Sequence, residues 1–267
     1  MTTSSAMRKA LRTHWPEYLI EAWGLGTFMI SAGLFTTLVE YPGSPVAQAI
    51  VDPDLRRGLI GLMMGLTAIA IIYSPWGRRS GAHLNPAVTL SFLRLGKVAR
   101  WDAVFFIAAQ FLGGPLGILL VVVVIGAPFA EPPVAYVVTV PGKGGPGTAF
   151  AAEFMISLGM MLTVLTVSNS PRFAHLTGAF AGVLVAAYIA WEAPLSGMSM
   201  NPARSFASAA AGGIWTDGWV YFSAPILGML SAVGVYRRLA PKRGVHCAKL
   251  DHPAHVRCIH CGYNPPG

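Results

Sequence analysis

The chain has 267 residues, of which 54% are hydrophobic and only 11% are charged, and its mean hydropathy is +0.56. A soluble domain carries about 25% charged residues, so this composition excludes a water-soluble globule. The formal net charge of +8 raises the question of a nucleic-acid partner. We instead expect an integral membrane protein whose main contact is the lipid bilayer.

Six uncharged stretches of 18 to 28 residues predict six membrane-spanning helices. About 20 apolar residues, and as few as ~17, are needed to cross the hydrocarbon core. None of the stretches shows the alternating polar residues of a barrel strand. They are residues 22–39, 58–77, 103–130, 154–171, 173–191 and 218–236. The sequence therefore predicts an all-α integral membrane protein.

Lys and Arg are distributed unequally between the two sides of these spans. If the N-terminus lies inside, fifteen of the 19 basic residues fall on inner segments, and only Arg56, Arg57, Lys143 and Arg204 fall outside. The positive-inside rule then places both termini in the cytoplasm, and we expect the plasma membrane. Because the charge encodes orientation, no nucleic-acid partner is expected.

Two eight-residue segments, 116 residues apart, share Ser, Gly, Asn, Pro and Ala at the same relative positions. The first loop, residues 80–87, reads Ser-Gly-Ala-His-Leu-Asn-Pro-Ala, and the second loop, residues 196–203, reads Ser-Gly-Met-Ser-Met-Asn-Pro-Ala. Three spans separate the copies, and an odd number inverts the second, which predicts inverted three-helix repeats. The predicted division is a cytoplasmic N-terminus (1–16), one membrane domain (17–240) with repeats at about 17–130 and 147–240, and a C-terminal tail (241–267).

A short segment follows each loop, at residues 88–93 and 204–211, and neither can span a membrane. A single Asn-Pro would ordinarily indicate a turn, but Asn is also a favoured N-cap and Pro a favoured first helical residue. Two equivalent copies favour two half-helices whose positive N-terminal ends meet at mid-membrane. Such a site repels cations and accepts the oxygen of a neutral molecule. The amide NH₂ groups of Asn85 and Asn201 are predicted to be donors aimed into a lumen.

The segments 80–89 and 200–205 resemble the two signature loops of the aquaporin, or major intrinsic protein, family. The resemblance covers roughly residues 17–240. It implies a pore in each subunit of a homotetramer, passive permeation of water or small neutral solutes, and no cofactor for transport. No enzyme activity is expected, because no loop cluster pairs a nucleophile with a base. The implied pore motifs are Asn85, Pro86, Ala87, Asn201, Pro202 and Ala203.

The resemblance also implies a selectivity filter. Arg204 matches the constriction arginine, with a structural arginine that snorkels to the interface as the alternative. Ile189 stands where water-selective members have His, and Met198 lies three residues before Asn201. The second span contributes Met64, or Gly65 if one residue is inserted before the first loop. This filter is more apolar than a strict water filter.

Features outside the filter favour water as the permeant. Glycerol facilitators usually have Asp directly after the constriction arginine, and this chain has Ser205. Tyr221 and Phe222 lie where water channels carry an aromatic pair. Facilitation of glycerol, hydrogen peroxide or ammonia stays open as the alternative.

Three buried polar residues are singled out by the same resemblance. His83 matches a pore-lining position, with a purely structural histidine as the alternative. Glu21 and Glu153 resemble carboxylates that accept N–H groups from the loops, with a proton relay as the alternative. A proton-coupled secondary transporter is the competing class, because inverted repeats and broken helices also occur there.

The tail has a different composition from the rest of the chain, and it holds all three cysteines. The run Cys-Ile-His-Cys-Gly at 258–262 resembles a zinc-ribbon knuckle. Cys247, Cys258 and Cys261, completed by His246 or a nearby histidine, would make a Cys₃His site. The alternatives are another metal or a disordered tail with reactive thiols. A zinc-bound tail would form a folded cap near the cytoplasmic mouth.

Overall fold

The computed structural model describes residues 3–240 and 244–265. Positions 241–243 and 266–267 of the predicted tail, including the basic Lys242 and Arg243, lie outside the described residues. The helices are α1 (Thr3–Glu40), α2 (Pro45–Ala49), α3 (Pro53–Tyr73), α4 (Pro75–Ser80), α5 (Pro86–Arg94), α6 (Arg100–Ile125), α7 (Ala127–Ala130), α8 (Gly145–Ser168), α9 (Thr177–Trp191), α10 (Ala193–Ser196), α11 (Pro202–Gly212) and α12 (Trp219–Leu239).

The predicted fold class is confirmed. Among the described residues six helical segments are long and apolar enough to cross a membrane; they contain α1, α3, α6, α8, α9 and α12. The sequence misjudged some helix ends. The run 58–77 passes the end of α3, because Ser74 caps a new helix that Pro75 begins. The run 103–130 is interrupted at Gly126, where φ is 71° and ψ is −136°.

The first span is longer than the sequence indicated. Helix α1 begins at Thr3 and continues through Pro16. Residues 3–16 of the predicted N-terminal segment therefore belong to the same helix as the first span. Asp102 on α6 holds this extension in place: it lies 2.8 Å from His14 Nδ1 and accepts a 2.6 Å hydrogen bond from the Tyr18 hydroxyl. We call the side where α1 begins and α12 ends the terminal face.

The helix packing repeats between the two halves. In the first half α1 packs along α6, and in the second half α8 packs in the same way along α12. Helices α3 and α9 pack against each other between the halves. Half-helix α5 packs most extensively on α12, and half-helix α11 on α6, so each contacts the last span of the opposite repeat.

Glycines bring α3 and α9 into backbone contact. A Cβ built on Gly65 would lie 2.5 Å from the Gly182 carbonyl oxygen, and one on Gly182 would lie 2.6 Å from the Gly65 oxygen. Small residues permit this close approach of membrane helices. Gly65 therefore faces α9, which leaves Met64 as the neighbour that faces the interior of the protein.

Candidate pore

The residues shared by the two loops make equivalent contacts. Ser80 Oγ donates to Glu21 Oε1 at 2.8 Å, and Ser196 Oγ donates to Glu153 Oε1 at 2.8 Å. Each loop then turns through a left-handed glycine, Gly81 with φ 109° and Gly197 with φ 82°. Side chains other than glycine rarely adopt such a φ. The repeated Ser-Gly thus ties each loop to a carboxylate and turns the chain.

Glu21 is fully buried and accepts hydrogen bonds from the first loop through both oxygens. Oε1 accepts from the His83 backbone N–H at 3.1 Å, and Oε2 accepts from the Leu84 N–H at 2.6 Å. Gln110 on α6 donates from Nε2 to Oε2 at 2.9 Å. The carboxylate therefore satisfies backbone donors of the loop, which have no partner within a helix or strand.

Glu153 does the same for the second loop and is also fully buried. Oε1 accepts from the Ser199 backbone N–H at 2.6 Å, and Oε2 accepts from the Met200 N–H at 2.7 Å. Four loop residues, Ala82, Leu84, Met198 and Met200, have φ between 51° and 55°. Such backbone costs energy and persists where its surroundings fix it, as the two carboxylates do here.

Asn85 and Asn201 cap the two half-helices. Asn85 Oδ1 accepts from the Ala87 N–H at 2.8 Å, and Asn201 Oδ1 accepts from the Ala203 N–H at 3.1 Å. Pro86 and Pro202 occupy the first helical position, where a missing N–H costs nothing. The Asn-Pro-Ala repeat is thus explained by helix capping in both copies.

The amide NH₂ groups of the two asparagines are not aimed only into a lumen, which corrects the prediction. Asn85 Nδ2 donates to the Met200 carbonyl at 2.7 Å, and Asn201 Nδ2 donates to the Leu84 carbonyl at 2.8 Å. An amide NH₂ has two donor hydrogens. Each asparagine thus uses one amide hydrogen to bind the opposite loop, and its second amide hydrogen is left for another acceptor.

A single cavity of about 370 Å³ passes both asparagines. At the end away from the terminal face it reaches Glu40 and Arg57, and at the terminal end it reaches Leu250 of the tail. Its lining is mostly apolar. Since the two half-helix N-termini meet along this cavity, we treat it as the candidate pore.

The predicted filter residues Met64, Ile189, Met198 and Arg204 all line this cavity. Gly65, the alternative to Met64, does not line it and contacts α9 instead. The Nη1 atom of Arg204 is buried and has no hydrogen-bond partner among the described residues. A buried guanidinium donor beside a cavity is available to a polar molecule inside it.

His83 lines the cavity, but its ring is also held by the tail. Nε2 donates to the Ala248 carbonyl at 2.8 Å, and Nδ1 lies 3.1 Å from Thr89 Oγ1. The ring stacks on His260 of the tail, with ring centres 5.5 Å apart. His83 therefore both lines the cavity and makes structural contacts with the tail.

Sequence reasoning missed the hydrogen bonds by which two polar residues, Gln110 and Tyr221, support the site. Gln110 donates to Glu21, and the Tyr221 hydroxyl donates to the Ser196 carbonyl at 2.5 Å. The lone amide of Gln110 inside an uncharged run of 28 residues was an available signal. The carbonyl partner of Tyr221 carries no sequence signal, because every residue has a carbonyl.

The tail brings four potential metal ligands together. Cys247, His252, Cys258 and Cys261 each offer one ligand atom, and these atoms all lie within 4.8 Å of one another. The Sγ atoms of Cys247 and Cys258 are 3.3 Å apart, far longer than the ~2.05 Å of a disulfide. The histidine of the cluster is His252, whose Nε2 lies 3.2 Å from Cys261 Sγ.

His246 is not part of this cluster, which corrects its place in the predicted ligand set. Its backbone N–H donates to Asn169 Oδ1 at 2.7 Å, next to the end of α8. This bond holds the backbone of His246 against the end of α8. After Leu250 the chain turns, and His252 then lies beside the thiols. Of the two options that the sequence left open, His246 or a nearby histidine, the geometry supports a nearby one, His252.

The thiols of the cluster interact strongly. A hydrogen bond with Cys247 holds the pKa of Cys258 well below its usual range, and backbone N–H groups of His260 and Cys261 act in the same direction. The hydrogen bond with Cys258 raises the pKa of His252 to about 9. A thiolate is the form of cysteine that binds metals. The lowered pKa of Cys258 therefore favours the form that would bind a metal.

Comparisons with known proteins agree with this geometry. The chain matches the family described as "Major intrinsic protein" over residues 13–236. It is 32% identical to "Aquaporin NIP2-3" of Zea mays over 230 residues, covering 85% of this chain and 74% of that protein. It is 35% identical to "Aquaporin-4" of Bos taurus over 185 residues, covering 67% and 55%.

The fold is also similar to a solved structure, titled "X-ray structure of the aquaglyceroporin from Plasmodium falciparum". The TM-score is 0.72 at 21% identity, covering 86% of this chain and 98% of that one. Six spans, two half-helices and a cavity between them define a membrane channel fold. The chain belongs to the major intrinsic protein family, whose members are channels rather than enzymes.

Proposed function

We propose that the protein is a passive channel for water. The observation that carries this proposal is the cavity that passes both half-helix N-termini and the free Nη1 of Arg204. Water needs donors and acceptors to replace its lost hydrogen bonds. Asn85, Asn201 and Arg204 supply the donors, and loop residues supply backbone carbonyls.

Exclusion of protons and cations follows from the same groups. Two helix N-termini add positive potential at the centre, and Arg204 adds a full charge farther along. The free amide hydrogens of Asn85 and Asn201 would bind a water oxygen and turn its hydrogens away from the centre. This orientation interrupts a proton wire, because neighbouring waters then cannot pass a proton through the centre. An arginine and half-helix dipoles exclude protons in aquaporin-type pores in the same way.

Facilitated passage of small neutral solutes is the second candidate. It is favoured by the apolar filter side chains Met64, Ile189 and Met198, which offer fewer hydrogen-bonding sites than a histidine would. Methionine is flexible and can adapt to a solute. Glycerol, hydrogen peroxide and ammonia are the solutes to test.

Water flux in proteoliposomes tests the proposal. After an osmotic step in a stopped-flow instrument, vesicles that contain the protein are expected to shrink faster than empty ones, with a low activation energy. The metal-loaded and the metal-free protein are both measured. If neither shrinks faster than empty vesicles, the water proposal is wrong.

Parallel uptake assays separate the alternatives. Uptake of glycerol, hydrogen peroxide or ammonia above that of empty vesicles would place the protein with solute facilitators. Accumulation of a solute against its gradient under an imposed proton gradient would instead support a coupled transporter. We expect equilibration without accumulation, because Glu21 and Glu153 are both engaged by the loops.

We further propose a homotetramer in the plasma membrane with both termini in the cytoplasm. The excess of basic residues on the terminal face supports the orientation. The many large apolar side chains exposed on the spans, such as Leu112, Leu116 and Val123, are suited to lipid or to neighbouring subunits.

We propose zinc as the metal of the tail cluster. Three thiolates and an imidazole form one of the tetrahedral ligand sets of structural zinc. Zn²⁺ with three thiolates carries one net negative charge. The side chain of Lys249 beside them is only 2% exposed, and no carboxylate forms an ion pair with it in the described part of the chain. An anionic zinc site would balance the positive charge of the Lys249 ammonium.

Replacing the histidine of the cluster tests the ligand set. His252→Ala is expected to reduce bound zinc to less than about half an equivalent per chain, because a Cys₃ site lacks its fourth ligand. His246→Ala, the matched control, keeps the cluster intact and is expected to retain about one equivalent. Metal content by mass spectrometry decides the matter; equal zinc in both variants would show that His252 is not a ligand.

A further inference from the structure

The tail is docked on the first loop at the terminal end of the pore. The Leu250 backbone N–H donates to the Gly81 carbonyl at 3.2 Å, and His260 Nε2 donates to the Ser80 carbonyl at 2.9 Å. Asp251 pairs with Arg78 at 2.7 Å. The tail therefore makes backbone contacts with the loop that carries Asn85 and a charged contact with α4, directly before that loop.

Apolar residues of the tail enter the core of the membrane domain. Val245, Ala248 and Leu250 are buried in the main hydrophobic cluster, together with residues of the spans. Leu250 goes further and lines the cavity itself. An isobutyl side chain thus forms part of the wall at the terminal end of the candidate pore, where it offers water no hydrogen bond.

The tail also occupies the polar groups that this end of the pore would offer. His83 Nε2 donates to Ala248 in the tail, and the His83 ring is covered by His260. A water molecule that leaves the cavity at this end therefore finds the imidazole already bonded.

The metal cluster brackets the residues that enter the pore. Cys247 lies directly before the segment Ala248-Lys249-Leu250-Asp251, and His252 lies directly after it. Cys258 and Cys261 supply the other two ligand atoms of the cluster. They lie on a turn in which the Gly262 N–H donates to the Cys258 carbonyl at 3.1 Å. A metal held by all four would close this loop and reduce the conformational freedom of Leu250.

We infer that the tail is a zinc-held cap that closes the terminal end of the pore by inserting Leu250. Zinc closes the loop 247–252, the loop presents Leu250 to the cavity, and loss of zinc releases it. Because the two states differ in metal affinity, metal occupancy and pore opening are thermodynamically coupled. This inference rests on the proposed channel function.

Water flux and hydrogen exchange on the full chain test the cap together. Zinc is loaded, or removed with a chelator, in detergent before reconstitution, so that both orientations in the vesicle share one metal state. Removal of zinc is expected to raise water permeability about fivefold or more. It is also expected to speed amide exchange in residues 244–265, including Leu250, whose N–H is bonded to Gly81.

Three variants separate the cap from the metal site. Leu250→Ala is expected to keep zinc but to conduct in the loaded state, because the isobutyl group at the terminal end of the cavity is gone. His252→Ala is expected to lose zinc and to conduct without a chelator. His255→Ala, an exposed histidine of the same tail, is expected to match the unmodified protein in zinc content, exchange and flux.

The outcomes distinguish the cap from the channel. Water permeability that is high in the loaded protein and unchanged in the metal-free protein and in Leu250→Ala would overturn the cap. Exchange in 244–265 that does not respond to zinc would also overturn it. If no variant conducts in either metal state, the channel proposal fails, whereas zinc-dependent protection of 244–265 still decides whether zinc docks the tail.

Discussion

Replacing Arg204 with valine is expected to let protons through the channel. Arg204 lines the cavity, and the nearby Glu153 carboxylate is engaged by the second loop, so the guanidinium keeps its positive charge toward the pore. Arg57, the other arginine on the cavity, is paired with Asp54 at 2.7 Å. We expect the proton leak to rise at least about tenfold, which corresponds to a barrier lowered by about 1.4 kcal/mol. Decay of a pH gradient, followed with an enclosed dye, measures it.

Arg204→Lys is the matched control, because it keeps the positive charge while replacing the planar guanidinium with an ammonium group. We expect its proton leak to stay near that of the unmodified protein. Both variants are measured with and without zinc, so that the proposed cap does not conceal the difference. Equal leaks in the valine and lysine variants would show that the charge of Arg204 does not exclude protons.

Replacing Glu153 with glutamine is expected to destabilise the membrane domain. Three donors, the Ser196 hydroxyl and the N–H groups of Ser199 and Met200, converge on this carboxylate. Glutamine supplies one acceptor oxygen and places an NH₂ where the second stood, so a buried donor is left unpaired at about 1–3 kcal/mol. We expect the unfolding midpoint in detergent to fall by about 5 °C.

Glu131→Gln is the control for this change, because Glu131 is exposed and its carboxylate makes no ion pair in the described part of the chain. Its midpoint is expected to stay unchanged. A Glu153→Gln protein as stable as Glu131→Gln would mean that the second loop does not depend on its carboxylate. Tryptophan fluorescence during heating provides the measurement for both.

The features that the sequence predicted well are those that leave a repeated or periodic trace. Six apolar runs follow from the thickness of the bilayer, and the duplicated Ser-Gly and Asn-Pro-Ala identify the two half-helices. Ser80 and Ser196, which the repeat marks, make the same bond to a carboxylate in each half. Family membership therefore required little beyond these segments.

The features that the sequence did not predict depend on distances between remote residues. The sequence could not choose between Met64 and Gly65, because the choice depends on which residue faces α9. It named His246 or a nearby histidine as the fourth ligand, and the fold of the tail, which brings His252 to the thiols, could not be read from the spacing. The reciprocal bonds of Asn85 and Asn201 to the opposite loops were also hidden, since their acceptors are backbone carbonyls.

Those reciprocal bonds have a consequence for biosynthesis. When only the first three spans have been made, the Asn85 amide and the Leu84 carbonyl have no partner, because both partners belong to the second loop. Unpaired polar groups are costly in hydrocarbon. Helix α5 also lacks its main packing surface, since α12 is made long after it. The first half can therefore enter the membrane early, but its short helix reaches its final position only after α12 has been made.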